Sequence, residues 1–155
     1  MNQTFPLTKS QYGIYVECAN RSGEICYNLP YLYTLDYSLD VNRLCNAVET
    51  AVKAHPTLFT RIVLNDEGEP LQTIDTDVIP SWTLHVEDVQ DVEAMIPSLV
   101  EPFDIYGDRL FRIRLLRSLP AGEGKDGALY LFIDYHHIIV DGTSMHLLLA
   151  DIDKA

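Results

Sequence analysis

Two histidines and an aspartate close an apolar run. In LFIDYHHIIVDG, residues 131–142, His136 and His137 stand where a strand-like segment ends, and Asp141 follows beside Gly142. An imidazole whose ordinary pKa is ~6.5 can move a proton at neutral pH. Strand ends lead into the loops on which rigid scaffolds present chemistry. Gly142 admits backbone angles closed to other residues, so the turn can hold an imidazole in one orientation. These residue types point to proton transfer, or to positioning of a reacting group, at His137. They also admit a plainer reading, in which the histidines complete strand packing and Asp141 caps a helix starting near Thr143. The pair has no HExxH or CxxC beside it, so no metal site is expected. Ser144, in DGTSM, lacks the GxSxG elbow of a serine nucleophile.

The elements that must position these residues follow from periodicity. ALYLFIDYHH is almost wholly apolar, as a central strand covered on both faces requires. After it, Met145, Leu148, Leu149 and Ile152 fall on one helical face. RLFRIRLLRSL (109–119) alternates arginine with apolar residues, the mark of a strand with one wet face, and PAGEGKDG (120–127) joins it to the central strand. Upstream, Thr8 is placed to cap a helix over 9–19, NLPYLYTLDYS reads as a strand near 28–37, and NRSGE between them is a turn. Val41, Leu44, Cys45, Val48 and Val52 keep helical spacing until Pro56. LFTRIVLN and PLQTID form a hairpin around NDEGEP. SWTLHVED predicts a short strand and VQDVEAMIPSLV a helix, despite Pro97. The order αβαββ(β)αββα implies an α/β fold, a two-layer α/β sandwich of a mixed β-sheet with helices packed on it.

Composition narrows the function classes. The chain has 155 residues, 47% of them hydrophobic and 22% charged, which suits one globular domain with a real core. A net charge of −12 excludes the basic footprint that nucleic acid demands. No apolar run approaches the ~20 residues of a membrane span, and MNQTFPLTKSQ lacks the pattern of a signal peptide. Cys18, Cys26 and Cys45 are odd in number with no CxxC, and read as reduced thiols of a cytoplasmic protein. Cys45 lies on an apolar helix stripe and reads as a small core residue.

HHIIVDG resembles the HHxxxDG signature of condensation domains of nonribosomal peptide synthetases, within the chloramphenicol-acetyltransferase-like superfamily. Three further segments resemble that family's motifs, in its order. LTKSQYGIY (7–15) is similar to the opening motif, with Ser10 and Gln11 at the serine-x-glutamine or alanine-glutamine positions. HPTLFTRI (55–62) is similar to the second motif, and EPFDIYGDRLFRIRLL (101–116) to the PFDL…PLFR stretch. Two positions depart from the pattern: Phe59 stands where the second motif carries arginine, and Arg109 where proline is usual.

The resemblance implies that residues 1–155 are the N-terminal lobe of a condensation domain, with a C-terminal lobe outside this chain and the active site in a channel between lobes. His137 is then the catalytic residue, His136 a packing or orienting neighbour, and Asp141 a structural residue paired with an arginine. Residues 59 and 61 are expected on one strand face, which makes Arg61 the first candidate partner, with Arg112 and Arg114 behind it. The implied reaction joins a carrier-bound aminoacyl or peptidyl thioester to the amine of a carrier-bound aminoacyl group. No cofactor is bound directly: substrates ride on phosphopantetheine arms of carrier domains, which with an adenylation domain are the implied partners. Rival readings are a stand-alone acyltransferase of the superfamily using a coenzyme A or carrier thioester, and a non-catalytic condensation-like docking domain.

Overall fold

A computed structural model describes residues 3–21, 23–107, 109–119 and 127–155. The central strand is where the apolar run places it. β7 (Ala128–His136) lies inside a four-stranded sheet ordered β2-β7-β6-β5, between β2 (Asn28–Leu35) and β6 (Phe111–Ser118), both antiparallel to it. β5 (Val86–Val89) adds to the edge parallel to β6, which makes the sheet mixed. A second sheet, ordered β1-β4-β3, joins β1 (Thr4–Pro6) to the hairpin of β3 (Thr60–Leu64) and β4 (Pro70–Ile74).

Strand alternation sorts the core. Leu129, Leu131, Ile133 and Tyr135 of β7 face the main cluster. There α2 (Val41–Ala54) contributes Val48, Ala51 and Val52, and α4 (Gly142–Lys154) contributes Met145 and Leu148. Cys45 packs at the margin of this cluster. On the other face Phe132 meets Val92 and Leu99 of α3 (Val92–Leu99), so the strand is covered on both sides. α3 carries Pro97 inside it. In a helix this short, little backbone bonding remains for the ring to disrupt.

Several boundaries differ from the sequence reading, among them the start of α3 at Val92 rather than Val89 and the end of β2 at Leu35. LFTRIVLN does not begin as a strand: Pro56, with its fixed φ, opens a 3-10 turn over Pro56–Phe59, and β3 starts only at Thr60. SWTLHVED is extended hydrogen-bonded strand only from Val86. The N-terminal TFP forms β1, which no periodicity could reveal in so short a segment. Most of the loop at 120–127 lies outside the described residues.

α1 (Lys9–Asn20) opens on a capping box in which Thr8 and Gln11 each bond the other's backbone N–H. None of its residues is fully buried, but Ile14, Tyr15 and Cys18 rest on a small cluster of Ile62, Ile105, Leu110 and Ile138. This contact lays α1 beside the end of β7, where both histidines emerge.

Candidate functional site

His137 is exposed at the end of β7, and its backbone N–H donates to the Tyr27 carbonyl at 2.8 Å. Its Nδ1 lies 3.0 Å from the Val140 carbonyl oxygen. A carbonyl only accepts, so this bond assigns a proton to Nδ1 and leaves a lone pair on Nε2 in the neutral ring. The imidazole borders a groove of about 380 Å³ whose walls include Ser10, Gln11, Ile14, Ile139 and Ser144. A base with a fixed tautomer at an open groove can accept a proton from a bound nucleophile or hold it by a hydrogen bond.

The loop that carries this ring is secured from α1. Gln11 Nε2 donates to the Ile138 carbonyl at 3.0 Å and to Gln72 Oε1 at 2.9 Å. Gln72 in turn donates to the Pro6 carbonyl at 3.1 Å. The opening segment LTKSQYGIY therefore meets the HHIIVDG loop in space, although more than a hundred residues separate them in the chain. Ser10 joins Gln11 on the groove wall.

Asp141 does what the plainer reading allowed. It is the N-cap of α4, its Oδ1 accepting from the Ser144 N–H at 2.8 Å and the Ser144 hydroxyl at 2.7 Å. These bonds hold its carboxyl below the usual range, as bonds to the charged form should. It is exposed and lines the same groove as His137. The arginine pairing expected for it is not the contact it makes. Arg61 sits 3.5 Å from Asp75 instead. Arg112 and Arg114 are engaged with Asp134 and Glu87. Nor do residues 59 and 61 share a strand face, because the 3-10 turn sends Phe59 into the core, edge-on to Phe111 with centroids 5.3 Å apart. Gly142 begins α4 with open space where a Cβ would stand, so no crowding demands glycine there.

His136 points the other way and is 4% exposed. The Ile138 N–H donates to its Nδ1 at 3.2 Å, which places the ring proton on Nε2, 3.4 Å from the Cys18 sulfur. Burial, reinforced by the neighbouring His137, pushes its pKa down to about 4, so the ring is neutral across the physiological range. Phe103 stands edge-on to it with centroids 6.0 Å apart.

Sequence reasoning missed the network below His136. Asp134 is fully buried and accepts from Asn28 Nδ2 at 2.8 Å and from Arg112 at 3.0 Å. Arg112 also donates to the Glu101 and Pro102 carbonyls and stacks over the Phe103 ring, 3.7 Å from its centroid. Burial raises the Asp134 pKa in spite of these partners. The available signal was the aspartate inside an apolar run, which must have partners if it is buried. Its cross-strand neighbour in the register is Arg112.

Among the described residues, no group of three or more His, Cys, Asp or Glu side chains is arranged to hold a metal. No helix among them is long and apolar enough to cross a membrane.

Residues 1–155 match the family model "Condensation domain" over their whole length. Tyrocidine synthase 3 of Brevibacillus parabrevis is 33% identical over 149 residues, which are 96% of this chain and 2% of that protein. Bacitracin synthase 3 of Bacillus licheniformis is 28% identical over 150 residues, 96% of this chain and 2% of its own length. In fold, the chain is similar to the starter condensation domain of rhizomide synthetase, with a TM-score of 0.78 at 20% identity over 97% of this chain and 36% of that one. It is similar also to the first condensation domain of the CDA synthetase, with a TM-score of 0.75 at 22% identity, covering 98% of this chain and 40% of that one. The chain thus spans a small part of its curated relatives and under half of each of these solved domains.

Proposed function

This chain belongs to the condensation-domain family, and from that premise we propose that it is the N-terminal lobe of a domain that forms amide bonds between carrier-bound substrates. The donor is an aminoacyl or peptidyl thioester, and the acceptor is the amine of an aminoacyl thioester. Both arrive on phosphopantetheine arms, so the partners are carrier domains, an adenylation domain that loads them, and the C-terminal lobe that completes the channel. A cytoplasmic location fits this set of partners.

The observation that carries the reading is the His137 tautomer. With Nδ1–H tied to the Val140 carbonyl, the Nε2 lone pair is available at the groove. The acceptor amine attacks the thioester carbonyl, and Nε2 takes or holds the proton that the nitrogen must lose. Collapse of the tetrahedral intermediate breaks the C–S bond and expels the donor's thiolate, which leaves on its arm and is protonated there. General base catalysis supplies about 10²–10⁴-fold, and holding both arms in reacting geometry contributes further. Gln11 and the Asp141 cap fix the loop from which the imidazole projects.

The test is product formation by the full-length protein with both carriers loaded. His137→Ala should abolish most condensation while carrier loading is unchanged. Near-normal turnover by a folded His137→Ala protein would overturn the reading and leave a docking role.

A further inference from the structure

The opposite side of the histidine pair faces a separate cavity of about 410 Å³ beneath α1. Its wall includes His136, Phe103, Cys18 and Cys26. Cys18 occupies the last turn of α1 and is half-buried, whereas Cys26 is exposed. Past the helix, Arg21 N–H bonds the Cys18 carbonyl, Glu24 N–H bonds the Arg21 carbonyl, and Gly23 takes a φ of +87°. Cys18 and Cys26 line the same cavity.

We propose that Cys18 and Cys26 form a reversible disulfide driven by peroxide, and that closing it withdraws two supports of the histidine pair. The first support is the Cys18 sulfur, which faces His136 Nε2–H at 3.4 Å. The second is the carbonyl of Tyr27, next to Cys26, which accepts the His137 N–H at 2.8 Å. Each cysteine is therefore one contact or one residue away from the loop that presents His137. Cys45, on α2, packs against the main core and takes no part.

The two thiols divide the chemistry. Cys26 is accessible and reacts first: its thiol sulfur takes one oxygen from the peroxide, giving a sulfenic acid and releasing water (or the corresponding alcohol). Cys18 then attacks that sulfur as a thiolate. The S–S bond forms, the S–O bond breaks, and hydroxide leaves with the Cys18 proton as a second water. Burial, with the nearby Cys26 charge adding to it, pushes Cys18 up to about 11. Cys18 thus stays a thiol at neutral pH and is spared direct oxidation, and its attack is the slower step. In a reducing compartment the bridge is transient, as suits regulation rather than a structural staple.

The experiment treats the full-length protein with hydrogen peroxide, alkylates the remaining thiols and maps peptides by mass spectrometry. A peptide pair joined at Cys18 and Cys26, lighter by two hydrogens, should appear, vanish with dithiothreitol and be absent from Cys26→Ser. Cys45 should remain open to alkylation. Product formation should be lost on oxidation, return on reduction, and resist peroxide in Cys26→Ser; this arm rests on the function proposed above, whereas the peptide map does not. Two thiols that both stay open to alkylation, or Cys26 carried to sulfinic acid without a link to Cys18, would overturn the bridge. A bridge that leaves turnover unchanged would overturn the switch.

Discussion

His136 and His137 are neighbours in the chain, yet one is sealed under α1 beside a thiol and the other opens onto a groove. The strand that delivers them explains the split. His136 is the last residue of β7 and continues its even-numbered face, after Phe132 and Asp134, so it turns toward Phe103 and Cys18. His137 is the first residue outside the ladder, and its ring is captured by the turn's own carbonyl at Val140. The two tautomers are opposite: Nε2–H in His136 and Nδ1–H in His137. One imidazole is made chemically quiet by burial, while its neighbour keeps a lone pair at the surface.

The sharpest way to break this comparison is to delete each ring in turn. His137→Ala should reduce condensation by about 10²–10⁴-fold with little change in Tm, because an exposed side chain with one local bond is removed. His136→Ala should do the reverse in kind, with lowered Tm and soluble yield and a loss of activity that follows the loss of folded protein. Equal activity losses at unchanged stability would erase the distinction.

The contrast was only partly legible in the sequence. HHIIVDG, the apolar length of β7 and the periodicity of α4 were enough to put a histidine at a strand end before a capped helix. The orientation of each ring was not, because it depends on where strand pairing stops and on a carbonyl three residues later. Phe59 and Arg61 show the same limit. Their spacing suits one strand face, but Pro56 converts the first of them into a 3-10 turn and sends it into the core. Asp134 was visible as a lone charge in an apolar run, whereas its partners Asn28 and Arg112 come from β2 and β6, which only strand pairing brings together.

That network supports the His136 side and yields the next largest effect. Arg112→Ala strips the buried Asp134 carboxylate of its cation, takes the side-chain donor from the Pro102 carbonyl and leaves the Glu101 carbonyl with Asn28 alone. Leaving such a charge unpaired costs about 3–5 kcal/mol, measurable as a lower denaturant midpoint. A change below about 1 kcal/mol would show that Asn28 alone satisfies Asp134.

A pH titration sharpens the comparison further. The unfolded His136 titrates at ~6.5, while the folded ring is held at about 4. Above the unfolded value both states are neutral and the residue contributes no pH dependence. As the pH falls below it, the unfolded chain takes up a proton that the folded chain refuses, so stability drops until about pH 4. The full penalty is on the order of 3 kcal/mol. His136→Asn should flatten the stability profile between those limits, read by denaturant unfolding at stepped pH. An unchanged slope would mean that His136 is not protected from protonation.

The smallest effect concerns Asp141, which serves the His137 side by starting α4. Its carboxylate bonds the Ser144 N–H and hydroxyl, both local contacts that an asparagine side-chain oxygen can also accept. Asp141→Asn should therefore leave Tm almost unchanged, whereas Asp141→Ala should lower it by about 2–4 °C, the scale of one lost cap in a chain of this length. Activity should follow the same order, since a frayed first turn loosens the Val140 carbonyl that fixes the His137 tautomer. The asparagine variant separates the cap from an ion pair. If Asp141→Asn were as damaging as Asp141→Ala in the full-length protein, the negative charge itself would be required. The Ser144 cap seen here would then be only part of what Asp141 does for the loop.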